Sequence, residues 1–289
     1  MDYFEPKSVG ETLSLLDKYG DQARVIAGGT DVLVDMKFKE ESACLVNIKR
    51  IPGLGYITEN GRSLRIGPLT TIREIETSRL VREKFPVLWE AAHQFASLQI
   101  RNTATIGGNI CRASPSGETL APLLVLDAMA KIAFSKGDET VPMEALFLGP
   151  GKTRLSSRGF LKEIEIPYPP GGSGSVYLKH AVRGAMDIAM VGVAVLIVPD
   201  SAAAKVKEAR IGLGAVAPTP IRAKKAEAML QGKSLDAALA QEAAKTAASE
   251  SSPISDQRSS AEYRGWIVEA LTRRGLAQSW KAATGKELI

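Results

Sequence analysis

The residues of this sequence best suited to chemistry are two glycine pairs set among small polar and β-branched residues. Gly28-Gly29 stands in the segment VIAGGTD, and Gly107-Gly108 stands in TIGGN. Because glycine has no Cβ, consecutive backbone N–H groups can turn toward one anion. Two such loops brought together would cradle a pyrophosphate without a helix dipole or a metal. The alternative is two ordinary tight turns.

Single polar and aromatic residues offer weaker signals. Glu118, in SPSGETLAP, is either a solvated loop carboxylate or an acceptor for sugar hydroxyls. Lys179 and Arg183 fall on one face of a predicted strand, where they are either functional cations or a basic surface strip. Phe95 ends an amphipathic helix and is expected in the core, and His93 is expected to be structural.

Two other glycine motifs do not fit nucleotide sites. The segment Gly149 to Thr153 ends like a P-loop, but Leu146 stands where the first glycine is required and RLSSRGF breaks the expected helix. The segment Gly212 to Ala217 imitates a dinucleotide fingerprint, yet prolines follow at once where a helix should begin. The sequence therefore argues against an NTPase and against a Rossmann site.

Composition indicates a globular chain long enough for two domains. Of 289 residues, 45% are hydrophobic and 24% charged, and the formal charge of +5 is spread along the chain rather than clustered as nucleic-acid binding requires. Cys44 and Cys111 are the only cysteines, so we expect reduced thiols and no four-cysteine cluster or other metal site within this chain. With no signal-peptide pattern and no stretch of membrane-span length, we expect a cytoplasmic protein, unless a partner carries an export signal.

The elements around the first glycine pair can be predicted from local signals. A capping box at Ser8 and Glu11 predicts a helix over residues 9–19. A strand in ARVI then breaks at the glycine pair before a short helix, and residues 45–51 form another strand. Asn60-Gly61 between alternating apolar residues predicts a hairpin with a two-residue type I′ turn.

The second glycine pair lies in a polar segment, residues 101–122, that predicts a structured loop packed against something. A capping box at Thr71 and Glu74 opens a helix before it, and VLWEAAHQFA after Pro86 predicts another. After the segment, LLVLDAMAKIAF reads as helix then strand, and FLKEIEIP as a strand.

The cluster PYPPGGSGS at 167–175 predicts the domain boundary. We expect one domain over residues 1–173, with a small subdomain at 1–54 and a larger one at 55–173, and a second domain over 174–289. The second begins with three predicted strands and continues with Ala-rich helices near 222–230, 235–249 and 259–273. Strands followed by helices indicate an α+β fold.

Taken in order, these segments resemble the FAD-binding medium subunit of the molybdenum hydroxylases, the family of xanthine dehydrogenase and aerobic carbon monoxide dehydrogenase. The matching segments span nearly the whole chain. They are AGGTD at 27–31, RNTATIGGNICRASPSGET at 101–119, FLGPGKTRL leading to FLKEIEIP, YLKHAVRGAMDIAMVGVA and IGLGAVAPTPIRA.

The resemblance implies a two-subdomain FAD-binding domain of the vanillyl-alcohol-oxidase (PCMH) type, with FAD between the subdomains, followed by a C-terminal α+β domain. Backbone of both glycine segments would bind the pyrophosphate, and Glu118 would replace the aspartate that usually reaches the ribityl chain. Phe95 would be the aromatic residue that lies against the adenine. Lys179 would be a cation near the isoalloxazine ring that raises the flavin potential. The implied FAD residues are Ala27, Gly28, Gly29, Thr30, Asp31, Phe95, Thr105, Ile106, Gly107, Gly108, Asn109, Glu118, Leu161 and Lys179.

The resemblance also implies partners. A large subunit would carry the molybdenum cofactor, and a small subunit two [2Fe-2S] clusters that pass electrons to FAD, usually in a dimer of heterotrimers. The other class considered is a self-contained flavin oxidase or reductase, for which His180 and Asp187 are the few candidate acids or bases. A flavin-free scaffold is a third. The substrate and the final acceptor (NAD, quinone, oxygen or ferredoxin) stay open.

Overall fold

The computed structural model describes residues 1–38, 42–200 and 205–288. The strands are β1 Asp2–Phe4, β2 Ala23–Ile26, β3 Cys44–Asn47, β4 Ile57–Glu59, β5 Ser63–Ile66, β6 Met129–Phe134, β7 Gly137–Pro142, β8 Phe147–Gly149, β9 Lys152–Thr153, β10 Phe160–Pro167, β11 Gly174–His180, β12 Val191–Asp200, β13 Lys205–Gly214 and β14 Ile221–Arg222. The helices are α1 Val9–Tyr19, α2 Val32–Phe38, α3 Ile72–Thr77, α4 Arg79–Lys84, α5 Pro86–His93, α6 Leu98–Arg101, α7 Ile106–Arg112, α8 Leu120–Val125, α9 Met143–Leu146, α10 Lys224–Leu230, α11 Ala237–Glu250 and α12 Ala261–Thr284, with a 3-10 turn at Gly20–Gln22.

These elements form two compact units, and each unit is built from three separate stretches of the chain. The first unit comprises residues 1–75, 97–114 and 128–167, and the second comprises 76–96, 115–127 and 168–289. The last passage from the first unit to the second falls at Pro167 and Tyr168, where the Pro- and Gly-rich cluster begins. The predicted boundary at 173/174 stays a prediction.

The first unit contains a small parallel sheet and a larger antiparallel one. The parallel sheet has the order β1-β3-β2, and the antiparallel sheet has the order β4-β5-β10-β6-β7. Buried residues of β3, including Cys44 and Val46, share a hydrophobic cluster with Leu13 of α1 and with Phe160 of β10. Helix α1 has the bounds predicted from its capping signals, and Ser8 accepts a hydrogen bond from the backbone N–H of Glu11.

The second unit is a four-stranded antiparallel sheet covered by helices, an α+β arrangement. The strand order is β11-β12-β13-β14, and apolar residues of β12 and β13 pack against α10, α11 and α12. Helix α12 continues to Thr284, well past the predicted end at 273. Gly275 lies inside this helix. A Cβ there would lie 2.8 Å from Val195 Cγ2, so glycine allows close packing against β12.

The hairpin of β4 and β5 is present, but its turn is shifted by one residue from the prediction. Asn60 N–H donates to the carbonyl of Ser63 at 3.1 Å, which makes Gly61 and Arg62 the central residues. Gly61 has φ +79°, whereas Asn60 and Arg62 do not have positive φ. Asn60 instead uses its side-chain oxygen to accept from the N–H groups of Arg62 and Ser63 at 3.0 and 2.8 Å.

The structure around the second glycine pair also differs from the prediction. Helix α7 lies within residues 101–122, where the polar composition had predicted a loop, and α8 begins at Leu120, three residues before the predicted helical segment LLVL. Thr105 starts α7, because its hydroxyl caps the helix by accepting from Gly108 N–H.

Within the described ranges, no helix is long and apolar enough to cross a membrane.

Candidate cofactor site

The two glycine segments meet inside the first unit. A Cβ added to Gly28 would lie 2.1 Å from the carbonyl oxygen of Thr103 and 3.1 Å from Ala104 Cα. Only a residue without a side chain allows that approach. The structure thus places the first glycine pair directly against the backbone that leads into the second pair.

The loop from Ala27 to Asp31 turns the chain at Gly29 and leads directly into α2. Gly29 takes a left-handed conformation with φ +77°, and its carbonyl accepts from the N–H of Leu33 as α2 begins. Among the residues that the structure describes, no acceptor faces the N–H groups of Gly28, Gly29, Thr30 and Asp31. Four consecutive donors that no protein group uses suit a phosphate.

The second segment differs from the expectation that its backbone supplies donors as well. Because residues 106–112 form a capped helix rather than an open loop, the first four N–H groups of α7 donate to protein acceptors. The donors and acceptors are Ile106 to Thr70 O, Gly107 to Pro68 O, Gly108 to Thr105 Oγ1 and Asn109 to Thr105 O, each at 3.0 Å.

The two glycines of the second pair are needed for different reasons. A Cβ on Gly107 would lie 2.6 Å from the carbonyl oxygen of Pro68, so this glycine allows close packing. A Cβ on Gly108 would meet only Thr105 Oγ1, at 3.0 Å. Gly107 is buried and Gly108 is half-buried, so Gly108 offers the more approachable backbone surface.

Arg112, the last residue of α7, binds two carboxylates beside the first loop. Its Nε lies 3.5 Å from Asp31 Oδ1, and its Nη2 donates to Asp35 Oδ1 at 3.2 Å. Its Nη1 also donates to the other oxygen of Asp35. A fork of this kind, on one planar guanidinium, fixes both partners in orientation.

Two of the remaining predicted residues, Glu118 and Lys179, form an ion pair in the second unit. Lys179 Nζ lies 2.9 Å from Glu118 Oε1, and it donates to the carbonyls of Gln94 at 3.2 Å and of Asp187 at 2.7 Å. Gln94 directly precedes Phe95, which is 8% exposed. The Lys179 and Glu118 side chains are 8% and 9% exposed, so this is a buried ion pair.

This arrangement changes the expected role of Lys179. All three of its N–H donors have protein acceptors, and Glu118 compensates its charge. Burial raises the pKa of the neighbouring Tyr177 well above its usual range, and the negative charge of Glu118 raises it further. The sequence had suggested a cation near the isoalloxazine ring, which stays a prediction, and the structure adds that this cation is paired with Glu118.

The other candidates have structural partners. Leu161 is 3% exposed in β10 and pairs with Ile132. His93 stacks on Trp89 and lies 3.0 Å from Glu76 Oε1, in agreement with a structural role.

The candidate acids and bases of a self-contained flavoenzyme are likewise engaged. Asp187 accepts from Arg183 Nε and from Gly184 N–H at 2.6 and 2.8 Å, and His180 Nε2 lies 3.2 Å from Tyr263 Oη. In the described part of the chain, no group of three or more His, Cys, Asp and Glu residues is placed to hold a metal ion.

Sequence reasoning missed Gln94, Thr103 and Arg112. Gln94 and Thr103 act through backbone carbonyls, and Arg112 acts through contacts that its own neighbours in the sequence do not reveal. For Thr103 a signal was present, since a glycine without positive φ inside a loop often marks a close backbone approach. The other two carry no such signal.

The comparisons with known proteins give the class to which this glycine loop and the α+β second unit belong. Residues 1–169 match the family described as FAD binding domain in molybdopterin dehydrogenase, and residues 176–279 match the CO dehydrogenase flavoprotein C-terminal domain. The chain belongs to the FAD-binding subunits of the molybdenum hydroxylase family. It is therefore a flavoprotein subunit of an oxidoreductase.

Individual relatives agree over almost the full length. The chain is 33% identical to a xanthine dehydrogenase FAD-binding subunit of Escherichia coli, covering 98% of this chain and 97% of the relative. It is 34% identical to the carbon monoxide dehydrogenase medium chain of Hydrogenophaga pseudoflava, covering 96% of each. A solved carbon monoxide dehydrogenase of that organism superposes with a TM-score of 0.94 at 35% identity, over 98% of both chains.

Proposed function

We propose that this chain binds FAD and uses it to carry electrons from the [2Fe-2S] clusters of a partner subunit to an external acceptor. The observation that carries the proposal is that none of the described residues accepts from the N–H groups of Gly28 to Asp31, while Gly28 itself packs against Thr103 at the entry to the second glycine segment. FAD supplies transfer of electrons singly or in pairs when it is bound.

The chain's own residues bind and orient the cofactor in this proposal. Backbone N–H groups of the segment from Ala27 to Asp31 hold the diphosphate, and the segment from Thr105 to Asn109 lies against it, chiefly through the accessible backbone at Gly108. The resemblance also assigns Leu161 in the first unit, and Phe95, Glu118 and Lys179 in the second, to FAD. Glu118 and Lys179 already form an ion pair within their unit.

The proposed assembly follows the relatives, several of which are named as the medium chain or FAD-binding subunit of a dehydrogenase. We propose a large molybdenum-cofactor subunit and a small subunit with two [2Fe-2S] clusters as partners, in a dimer of heterotrimers. With only two cysteines, this chain does not itself supply the ligands of such clusters. The PCMH-type classification of the flavin domain and a cytoplasmic site of action are part of the same proposal.

The test is to purify the tagged chain from its native cell under mild conditions and to record the visible spectrum and the partner masses together. A flavin spectrum with an iron–sulfur shoulder and two co-purifying chains is the expected result. Rapid mixing with a strong reductant of iron–sulfur clusters should then bleach the shoulder before or together with the flavin band. A yellow protein that comes alone and oxidises a small alcohol would contradict the proposal, and so would a colourless chain.

A further inference from the structure

Two carboxylates stand beside the proposed diphosphate loop, and one guanidinium holds both. Asp31 ends the loop, and Asp35 lies one turn further along α2. Asp31 O accepts from the N–H groups of Val34 and Asp35 at 3.0 and 2.9 Å, so loop and helix are continuous here. A diphosphate bound by the loop N–H groups would face two negative charges at short range.

Arg112 removes that difficulty. Its Nε faces Asp31 at 3.5 Å, and both of its terminal nitrogens donate to Asp35. The contacts join α7 to α2 across 77 residues of sequence, and so they also fix the first loop relative to the second glycine segment. Since a charge-assisted fork holds direction as well as distance, one residue supplies both neutralisation and orientation.

We propose that Arg112 is a positioning residue for FAD: it neutralises Asp31 and Asp35 and holds the Ala27–Asp31 loop in its anion-binding form. The inference rests on the proposed function. It assigns Arg112 no direct bond to the cofactor, because its guanidinium already faces two carboxylates. The proposal predicts that loss of Arg112 weakens binding of the diphosphate part of the cofactor and leaves binding of the flavin ring unchanged.

The ordinary alternative is a surface ion pair of little consequence. Arg112 is 41% exposed on its side chain, Asp31 is 54% exposed, and exposed pairs contribute little to stability. Arg154 provides a matched control in the same unit, because it pairs with Glu139 at 3.1 Å and both side chains are similarly exposed.

The test uses the full chain with its co-purifying partners, stripped of flavin by high bromide and titrated with FAD, ADP and riboflavin. Arg112→Met should weaken FAD and ADP binding about tenfold at low salt and less at high salt, because salt screens the exposed carboxylates. Riboflavin, which lacks phosphate, should bind unchanged. Arg112→Lys should recover part of the affinity, and so should Arg112→Met/Asp35→Asn, because the double variant restores the charge balance but not the fork. Arg154→Met should behave as wild type.

Two results would overturn the inference: ADP affinity unchanged in Arg112→Met, or riboflavin weakened as much as ADP, which would indicate general damage. If Arg112→Met does not fold, Arg112→Lys decides, since lysine keeps the positive charge but cannot make the fork to Asp35, so ADP binding should weaken and riboflavin binding should not. Unchanged ADP binding in Arg112→Lys would count against the proposal. Failure of the wild-type chain to bind FAD at all would instead refute the proposed function.

Discussion

The ammonium of Lys179 lies 2.9 Å from the carboxylate of Glu118, and both side chains are more than nine-tenths buried. Neither charge is stable there without the other, because an isolated ion loses its hydration on burial. The pair also connects three segments of the second unit, through the carbonyls of Gln94 and Asp187. Loss of this ion pair would therefore alter the structure of this region even when no cofactor is bound.

Lys179→Met should destabilise the protein by about 3 kcal/mol, because it removes the ammonium that faces the buried carboxylate of Glu118. Adding Glu118→Gln should recover much of the loss. Urea unfolding of the two variants measures both effects. The flavin midpoint potential should stay close to wild type in the double variant if the pair acts as a neutral unit, and a large fall would restore the simple cation role.

Gly28→Ala should prevent FAD binding and weaken the first unit, because its methyl group would lie 2.1 Å from the Thr103 carbonyl oxygen. Gly149→Ala is the matched control, since no atom lies within 4 Å of the added Cβ and φ is not positive. FAD retention after gel filtration and the melting temperature provide the measurements. Equal FAD retention in both variants would show that the close approach at Thr103 is not needed.

The second glycine pair should respond asymmetrically. Gly107→Ala should lower stability by roughly 1–3 kcal/mol through overpacking against Pro68. Gly108→Ala should fold nearly normally, because only the Thr105 hydroxyl is close, and should instead lose FAD affinity. Thermal melts with and without FAD separate the two effects. The reverse order of stability losses would contradict this account.

A carboxylate of the second unit should make stability depend on pH. Asp256 accepts from the N–H of Arg258 and from Arg264 Nη2, both at 2.8 Å, and these contacts lower its pKa to about 2. A depressed carboxyl pKa stabilises the fold above the unfolded value near ~3.9, and that contribution is lost as pH falls toward the folded value. Asp256→Asn should therefore cost about 2 kcal/mol at pH 7 and progressively less between pH 4 and pH 2.

Chemical denaturation at several pH values checks the Asp256 prediction. Asp138→Asn serves as the control, because Asp138 pairs with Lys162 on the surface and both are about half exposed. Its stability difference from wild type should stay small throughout. A loss in Asp256→Asn that does not shrink on acidification would show that the carboxylate acts by hydrogen-bond geometry alone.

Local signals predicted much of this fold because each depends on neighbouring residues only. The Ser8 cap placed α1 correctly, and Thr71 and Glu74 cap each other as the sequence indicated. The hairpin turn was wrong by one residue because Asn60 uses its side chain, rather than its backbone conformation, to make the turn. The end of α12 was wrong because Gly275 serves packing against a distant strand.

The site was harder to predict than the elements. The glycine motifs pointed to the correct backbone segments, but not to the fact that residues 106–109 use their N–H groups internally. Nor could the spacing show that Lys179 and Glu118, 61 residues apart, would neutralise each other. Such facts depend on which side chains meet in space, and a single sequence does not encode that in any local pattern.

The approach of Gly28 to Thr103 has a consequence for how the protein is made. The first loop leaves the ribosome long before its counterpart, and Arg112, which is joined to Asp35 across 77 residues, comes later still. Contacts so distant in sequence form slowly, since a long loop must close before they can contribute. Cofactor loading should therefore be a late event in biogenesis, and a fully yellow chain reports that these long-range contacts have formed.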